Sequence, residues 1–403
     1  MRAAANSRPH LITLLSMNSC IASRRLLAAA LIPTLLLCAA AQGAESSTPT
    51  RFRDPADGWL DASEFLDTAH GFLPFAMPIT EPAVGYGAAA AVMFIDRDVR
   101  GQGEAHTRPN ITVVGGLRTE NGTKGFFATH LGTWREDRIR TIAVLADMDV
   151  NLDYFGLGGA RNPADASVGY SISGRGGVLG GNFRLGATDF WAGLRYTQVE
   201  TSVTLSAANP GLPGILPGDI GDQRIAAFTP SLTLDTRDNF FTPTRGWYVD
   251  ASALLARESL GSDRDFERIG FTVMNFQPVS RDLFFGVRGS ARTSSDDTPF
   301  FLRPYVGLRG VQAMRYQGED AGEVEAELRW QVHPRFSFVG FGGVGTARSS
   351  GVAPDRERSV TAGGAGIRYL LARRHGMHLG VDVAAGPDTP VIYIVLGNAW
   401  LRP

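Results

Sequence analysis

The chain has 403 residues, 44% of them hydrophobic and 20% charged, and its 39 basic and 40 acidic side chains leave a net charge of −1. That balance excludes a basic nucleic-acid surface, and the hydrophobic content excludes a disordered chain. The 48 glycines suit a chain of strands and turns, and beyond the first forty-odd residues no apolar run reaches the ~20 residues of a spanning helix, Val84 to Ile95 being the longest.

Arg24-Arg25 precedes the apolar run Leu26 to Ala41, and the small residues Ala39, Ala41 and Gly43 offer cleavage positions. Residues 1–43 therefore read as a secretory signal peptide, with Met17 as a shorter alternative start. The general secretory route, which carries chains unfolded, is expected. Leu37 occupies the position where a lipoprotein signal at Cys38 needs a small residue. Cys20 and Cys38 are the only cysteines, so the processed chain would hold neither a disulfide nor a thiolate metal site.

Residues 44–78 read as a short periplasmic N-terminal segment. A helix is expected over Asp57 to His70, through Leu60, Phe65, Leu66 and Ala69, placed in or under a barrel lumen. Asp57 to Phe65 imitates the second half of a calcium-binding loop, but Arg53 and Pro55 stand where the first and third ligands belong. A capped turn and helix is the better reading.

From residue 79 to 403 the pattern is a transmembrane antiparallel β-barrel. Its clearest strand is Glu323 to Val332, where Val324, Ala326, Leu328, Trp330 and Val332 alternate with Glu323, Glu325, Glu327, Arg329 and Gln331. One face suits hydrocarbon and the other a polar lumen. Ala226 to Asp235, Trp247 to Leu255, Phe285 to Arg292 and Thr141 to Asp149 alternate likewise, which implies a lumen rich in charge of both signs. Fifteen segments can be placed, and bacterial single-chain barrels have even strand numbers. All-β architecture with sixteen strands is expected, fourteen being the alternative. The long Pro/Gly-rich segment Ala207 to Gly221 should be extracellular and the short connection Asn239 to Arg245 periplasmic, so a strand is missing within residues 151–167 or before residue 79.

Residues 230–250, with Asp235, Arg237, Asp238, Pro243 and Gly246 at a tight turn, resemble the strand and periplasmic turn that mark BamA/TamA outer-membrane proteins, the bacterial surface antigens. Leu308-Arg309-Gly310-Val311 resembles that family's V-R-G-F/Y tip on a loop folded into the barrel. Glu327-Leu328-Arg329 is similar to its next strand. Ile394 to Trp400, with Tyr393, Gly397 and Trp400, resembles its closing strand, which ends in an aromatic. The resemblance implies that Arg309 and Gly310 lie in the lumen, with Glu325, Glu327 and Arg329 as the loop's partners. Two departures stand out. Phe341-Gly342-Gly343-Val344-Gly345 puts Gly343 where the family has the loop arginine's aspartate, so Arg309 is expected to pair with Glu327, helped by Glu325. Residues 44–78 are also too few for a POTRA domain with its own core.

Other motifs carry less. Gly340 to Gly345 matches a phosphate-binding glycine pattern, but a polar loop follows where a helix should begin. His375 and His378 lack a third metal ligand. His130 and His333 come with no catalytic signature, so neither an enzyme, a cofactor nor a metal is expected. The expected protein is a monomeric barrel amid outer-membrane lipid and lipopolysaccharide, inserted by the barrel-assembly machinery, with unknown clients and no nucleic acid. Its implied role is membrane biogenesis, with first and last strands that pair imperfectly and admit an incoming strand. A passive pore or surface antigen with a charged lumen is the alternative.

Overall fold

The structure is a computed structural model and describes residues 52–68, 71–96, 110–155, 167–206, 219–349 and 356–400. The signal-peptide reading of residues 1–43 lies outside them. A short helix, α1 (Ser63–Thr68), precedes sixteen strands: β1 (Gly71–Ile79), β2 (Gly87–Ile95), β3 (Ile111–Thr119), β4 (Lys124–Trp134), β5 (Ile139–Tyr154), β6 (Val168–Arg184), β7 (Phe190–Leu205), β8 (Gly221–Asp235), β9 (Gly246–Ala256), β10 (Phe266–Pro278), β11 (Leu283–Ser294), β12 (Asp320–His333), β13 (Phe336–Ser349), β14 (Arg356–Ala372), β15 (Met377–Ala385) and β16 (Val391–Leu396). They form one antiparallel sheet in chain order, a nearly closed barrel.

The strand missing from the sequence count is β1, so the barrel begins at Gly71 rather than at residue 79. Residues 151–154 only lengthen β5. Seven strands precede Ala207, as the loop parity requires.

The cross-strand register fixes which face is which. Leu73, Met93, Val113, Thr129, Val144, Val178, Thr197, Ala227, Ala256 and Phe266 are successive partners from β1 to β10. The last three pack with Phe300 and Phe301 of the long loop between β11 and β12, which lies inside the barrel. The row is therefore lumenal. Residues of opposite parity, such as Phe72, Phe126, Leu145 and Leu179, are 66% exposed or more and form the lipid-facing skin.

For β1 to β6 this corrects the expectation of a lumen rich in charge of both signs. On β5 the inward residues are Ile142, Val144, Ala146 and Met148, while Asp147 and Asp149 face outward. There they share a charged band with Lys124, Arg175 and Glu200 towards the extracellular ends of the strands. Alternation alone does not say which face is inner when both ends of a strand leave the bilayer. The lumen is divided: charged along β9 to β15, apolar along β1 to β6.

β1 and β16 have no ladder between them among the described residues, so the sheet has two edges. β1, Gly-Phe-Leu-Pro-Phe-Ala-Met-Pro-Ile, is apolar on both faces and carries Pro74 and Pro78. Proline has no N–H for a ladder, so in a strand paired only with β2 its nitrogen must turn outward. Both prolines thus remove donors from the edge that faces β16.

The N-terminal segment anchors to the periplasmic turns of β12 to β15. Arg335, in the β12–β13 turn, is fully buried and reaches Asp54 at 2.6 Å, Asp57 at 2.7 Å and Asp61 at 2.6 Å. Asp67 of α1 pairs with Arg374, and its other oxygen lies 3.0 Å from His375. The helix is shorter than the Asp57–His70 expected. Gly58 at φ +71° makes a turn closed by the Arg53–Leu60 bridge, and only after it does Asp61 accept the Ser63 N–H at 2.7 Å and start the helix. Asp57 and Asp61 thus serve arginines, in place of the calcium considered from sequence. The Arg335 guanidinium holds the Asp57 carboxyl down to about 2.

Candidate functional site: the infolded loop and the seam

The loop of residues 295–319 enters the lumen from the extracellular end. Phe300, Val306, Leu308 and Val311 are buried, and they supply most of its apolar anchoring. Leu308 takes the space opposite Gly343: a Cβ there would lie 2.7 Å from Leu308 Cδ2 and 2.7 Å from the Val324 carbonyl. The residue that departs from the family pattern is thus sterically matched to the loop.

Arg309 sits at the tip, its guanidinium 3.5 Å from the Phe341 ring centroid. Its Nε donates to Glu325 Oε1 at 2.6 Å, its Nη2 lies 2.8 Å from Glu327 Oε2, and its Nη1 donates to Asp382 Oδ2 at 2.9 Å. Glu325 and Glu327 are thus brought to Arg309. Arg329 is not: it points towards the periplasmic end and stacks 4.4 Å from the Phe284 ring. Gly310, at φ +87°, turns the tip, and its N–H donates to the Tyr393 hydroxyl on β16 at 3.1 Å.

Asp382 was missed from sequence. It is fully buried on β15 and also accepts from Arg368 of β14. A Cβ at Gly366 would meet Asp382 Oδ1 at 1.9 Å, so the neighbouring strand must be bare there. The carboxylate absent at Gly343 is replaced from two strands away. Its signal was the only acid of its strand, set between Val381 and Val383. More charge lines the same side: Arg292 pairs with Glu323 at 2.6 Å, and Arg288 lies 3.5 Å from Glu325.

From below, the β8–β9 turn folds under the lumen. Arg237 forks onto Asp235 at 2.7 and 2.8 Å, Asp238 accepts the Thr244 N–H at 2.9 Å, and Asn239 donates to the His375 carbonyl at 2.9 Å. Pro243 follows in that turn, and Gly246, at φ +110°, has no room for a Cβ beside the Thr236 carbonyl at 2.3 Å. The closing strand is shorter than the expected run to residue 400. Gly397, at φ +75° and against the Phe241 carbonyl, ends β16 at Leu396. Trp400 then turns inward to pack on Tyr248, Met274 and Phe276. At the extracellular end, Glu81 of the β1–β2 connection accepts the Ala313 N–H at 3.4 Å, tying the seam's first hairpin to the loop. Burial pushes the Glu81 carboxyl above its ordinary range.

A sixteen-stranded lipid-facing barrel with an arginine-tipped loop folded into a carboxylate-lined half-lumen defines a class of outer-membrane protein. Residues 145–309 match the Omp85 superfamily domain, and the barrel as a whole is BamA-like in fold. Among solved structures it is similar to BamA from Haemophilus ducreyi lacking POTRA domains 1–3, with a TM-score of 0.54 and 13% identity over 81% of this chain and 69% of that one. CdiB from Escherichia coli gives 0.56 and 12% over 81% and 62%, and CdiB from Acinetobacter baumannii 0.51 and 10% over 81% and 59%. The chain thus spans less than two-thirds of either CdiB. At these identities the likeness is one of fold. No curated protein sequence matches the chain.

Proposed function

We propose that the chain acts in outer-membrane biogenesis, admitting strand-forming polypeptide at the edge between β1 and β16 for insertion or translocation. The observation that carries this is the missing ladder between the first and last strands. A β1 edge with two proline interruptions beside a six-residue β16 leaves backbone groups open to an incoming strand. The loop tip holds β16 through Gly310 and Tyr393, so loop and edge are mechanically joined. In this reading the protein is exported by the general secretory route, is inserted by the barrel-assembly machinery and works as a monomer among lipopolysaccharide. No catalytic role is proposed.

The test is reconstitution in liposomes with an unfolded outer-membrane barrel as client. The protein should speed the client's insertion, and a disulfide between cysteines on β1 and β16 should remove that gain until reductant is added. A client that inserts equally fast with and without the protein, or a lock without effect, overturns the reading.

A further inference from the structure

The apolar half of the lumen has no role in strand admission as such. Its three central rows, led from β1 by Leu73, Phe75 and Met77, cross β1 to β6 without one ionisable side chain. Leu73, Phe75, Val113, Val144 and Met148 remain half-buried, whereas the charged residues under the loop, Glu325 and Asp382, are buried. A polar lumen is the barrel rule because water fills it; a wall of this composition facing water would be an apolar patch of the size that marks a binding surface.

Two observations say what belongs there. The wall runs without a polar break to β1, which is apolar on both faces and unpaired at the edge towards β16, so the inner surface is continuous there with the lipid-facing skin. At its other end, one row passes from Leu131 through Ile142 and Gly180 to Arg195 on β7. A Cβ at Gly180 would lie 2.6 Å from Arg195 Cγ, so the arginine's stem crosses that glycine beside the apolar wall. Among the described residues Arg195 has no carboxylate partner, whereas Arg140 and Arg184 near the same rim are paired with Asp137 and Asp189. A half-buried arginine without an acid calls for an anion.

We propose that the lumenal wall of β1 to β6 holds the acyl chains of an anionic phospholipid, admitted through the gap between β1 and β16, with its phosphate on Arg195. Arg195 is the sixth residue of β7 counted from its periplasmic end. The site stands whether or not protein strands use the same edge.

The experiment places a spin label at Val144→Cys in the full protein, in nanodiscs of phosphatidylcholine with or without phosphatidylglycerol. Controls are Leu145→Cys on the skin and Thr233→Cys on the polar lumen side. Collisions with oxygen, which partitions into lipid, and with a water-soluble nickel chelate report the surroundings. With phosphatidylglycerol present, the Val144 label should resemble Leu145, with oxygen access several-fold above nickel access. Arg195→Gln should return it towards the Thr233 pattern, while Arg195→Lys keeps it lipid-like; heat-modifiable gel mobility verifies folding of each variant. Nickel access at Val144 equal to that at Thr233 in both lipids overturns the proposal. So does low access to both reagents, which would mean that protein covers the wall, or shielding that appears only when lipopolysaccharide is added.

Discussion

Replacing Arg309 with alanine removes the cation that three lumenal carboxylates share. Glu325 and Asp382 are at most 2% exposed in their side chains, and Arg288 and Arg368 offset them only in part. Leaving one partner of a buried ion pair uncompensated costs ~3–5 kcal/mol. Against that stand four buried apolar anchors, Phe300, Val306, Leu308 and Val311, worth ~1.5–3 kcal/mol each. The loop should therefore stay docked but open far more often. Amide hydrogen exchange at Val306 and Val311, measured in detergent micelles at neutral pH, should accelerate by ~10²–10⁴-fold, the equivalent of that energy when local opening governs exchange. Adding Glu325→Gln should recover part of the loss, since the isolated charge is its main source. An exposed control, Arg175→Ala, breaks a pair with Glu200 and should cost less than ~1 kcal/mol. The reasoning fails if Arg309→Ala changes loop exchange no more than that control does.

Gly343→Asp, which restores the family's residue, should destabilise the barrel by ~1–3 kcal/mol through overpacking against Leu308, read from its unfolding midpoint in urea. In the N-terminal segment, Asp57 is depressed from 3.8 to about 2 by Arg335. A depressed acid stabilises above its unfolded value and loses that effect as pH falls through the folded one. A spin label at Ala56→Cys should thus become mobile between about pH 4 and about pH 2, and already at neutral pH in Arg335→Ala; a label unchanged in both cases contradicts the clasp. Pro74→Ala with Pro78→Ala returns two donors to the β1 edge, and should raise amide protection on β16 and slow client insertion in liposomes.

What the sequence made legible followed from alternation. β12 could be read in full because acids and apolar residues strictly alternate there, and the two strands bordering the β8–β9 turn showed themselves the same way. β1 could not, because a strand apolar on both faces has no period to detect. β5 showed its period but not its orientation, since its outward acids stand above the bilayer's apolar belt. The pairing of Arg309 with Glu325 and Glu327 followed from the family resemblance that folds the loop inward, but Asp382 did not, because its place beside Arg309 depends on the barrel's register and on the bare Gly366 next to it. Trp400's inward turn rests on Gly397's left-handed backbone, which a strand-like run of apolar residues hides.

The account turns on an unpaired edge between the first and last strands, and dipolar broadening between spin labels in a lipid bilayer measures it most directly. Labels at Val92 and Val114, cross-strand partners on β2 and β3, set the signal of a true ladder, where neighbouring strands lie ~4.8 Å apart. Labels at Ala76 on β1 and Ile392 on β16 should give weaker broadening spread over a range of separations. A single population as close as the Val92–Val114 pair would show a sealed cylinder and contradict the account.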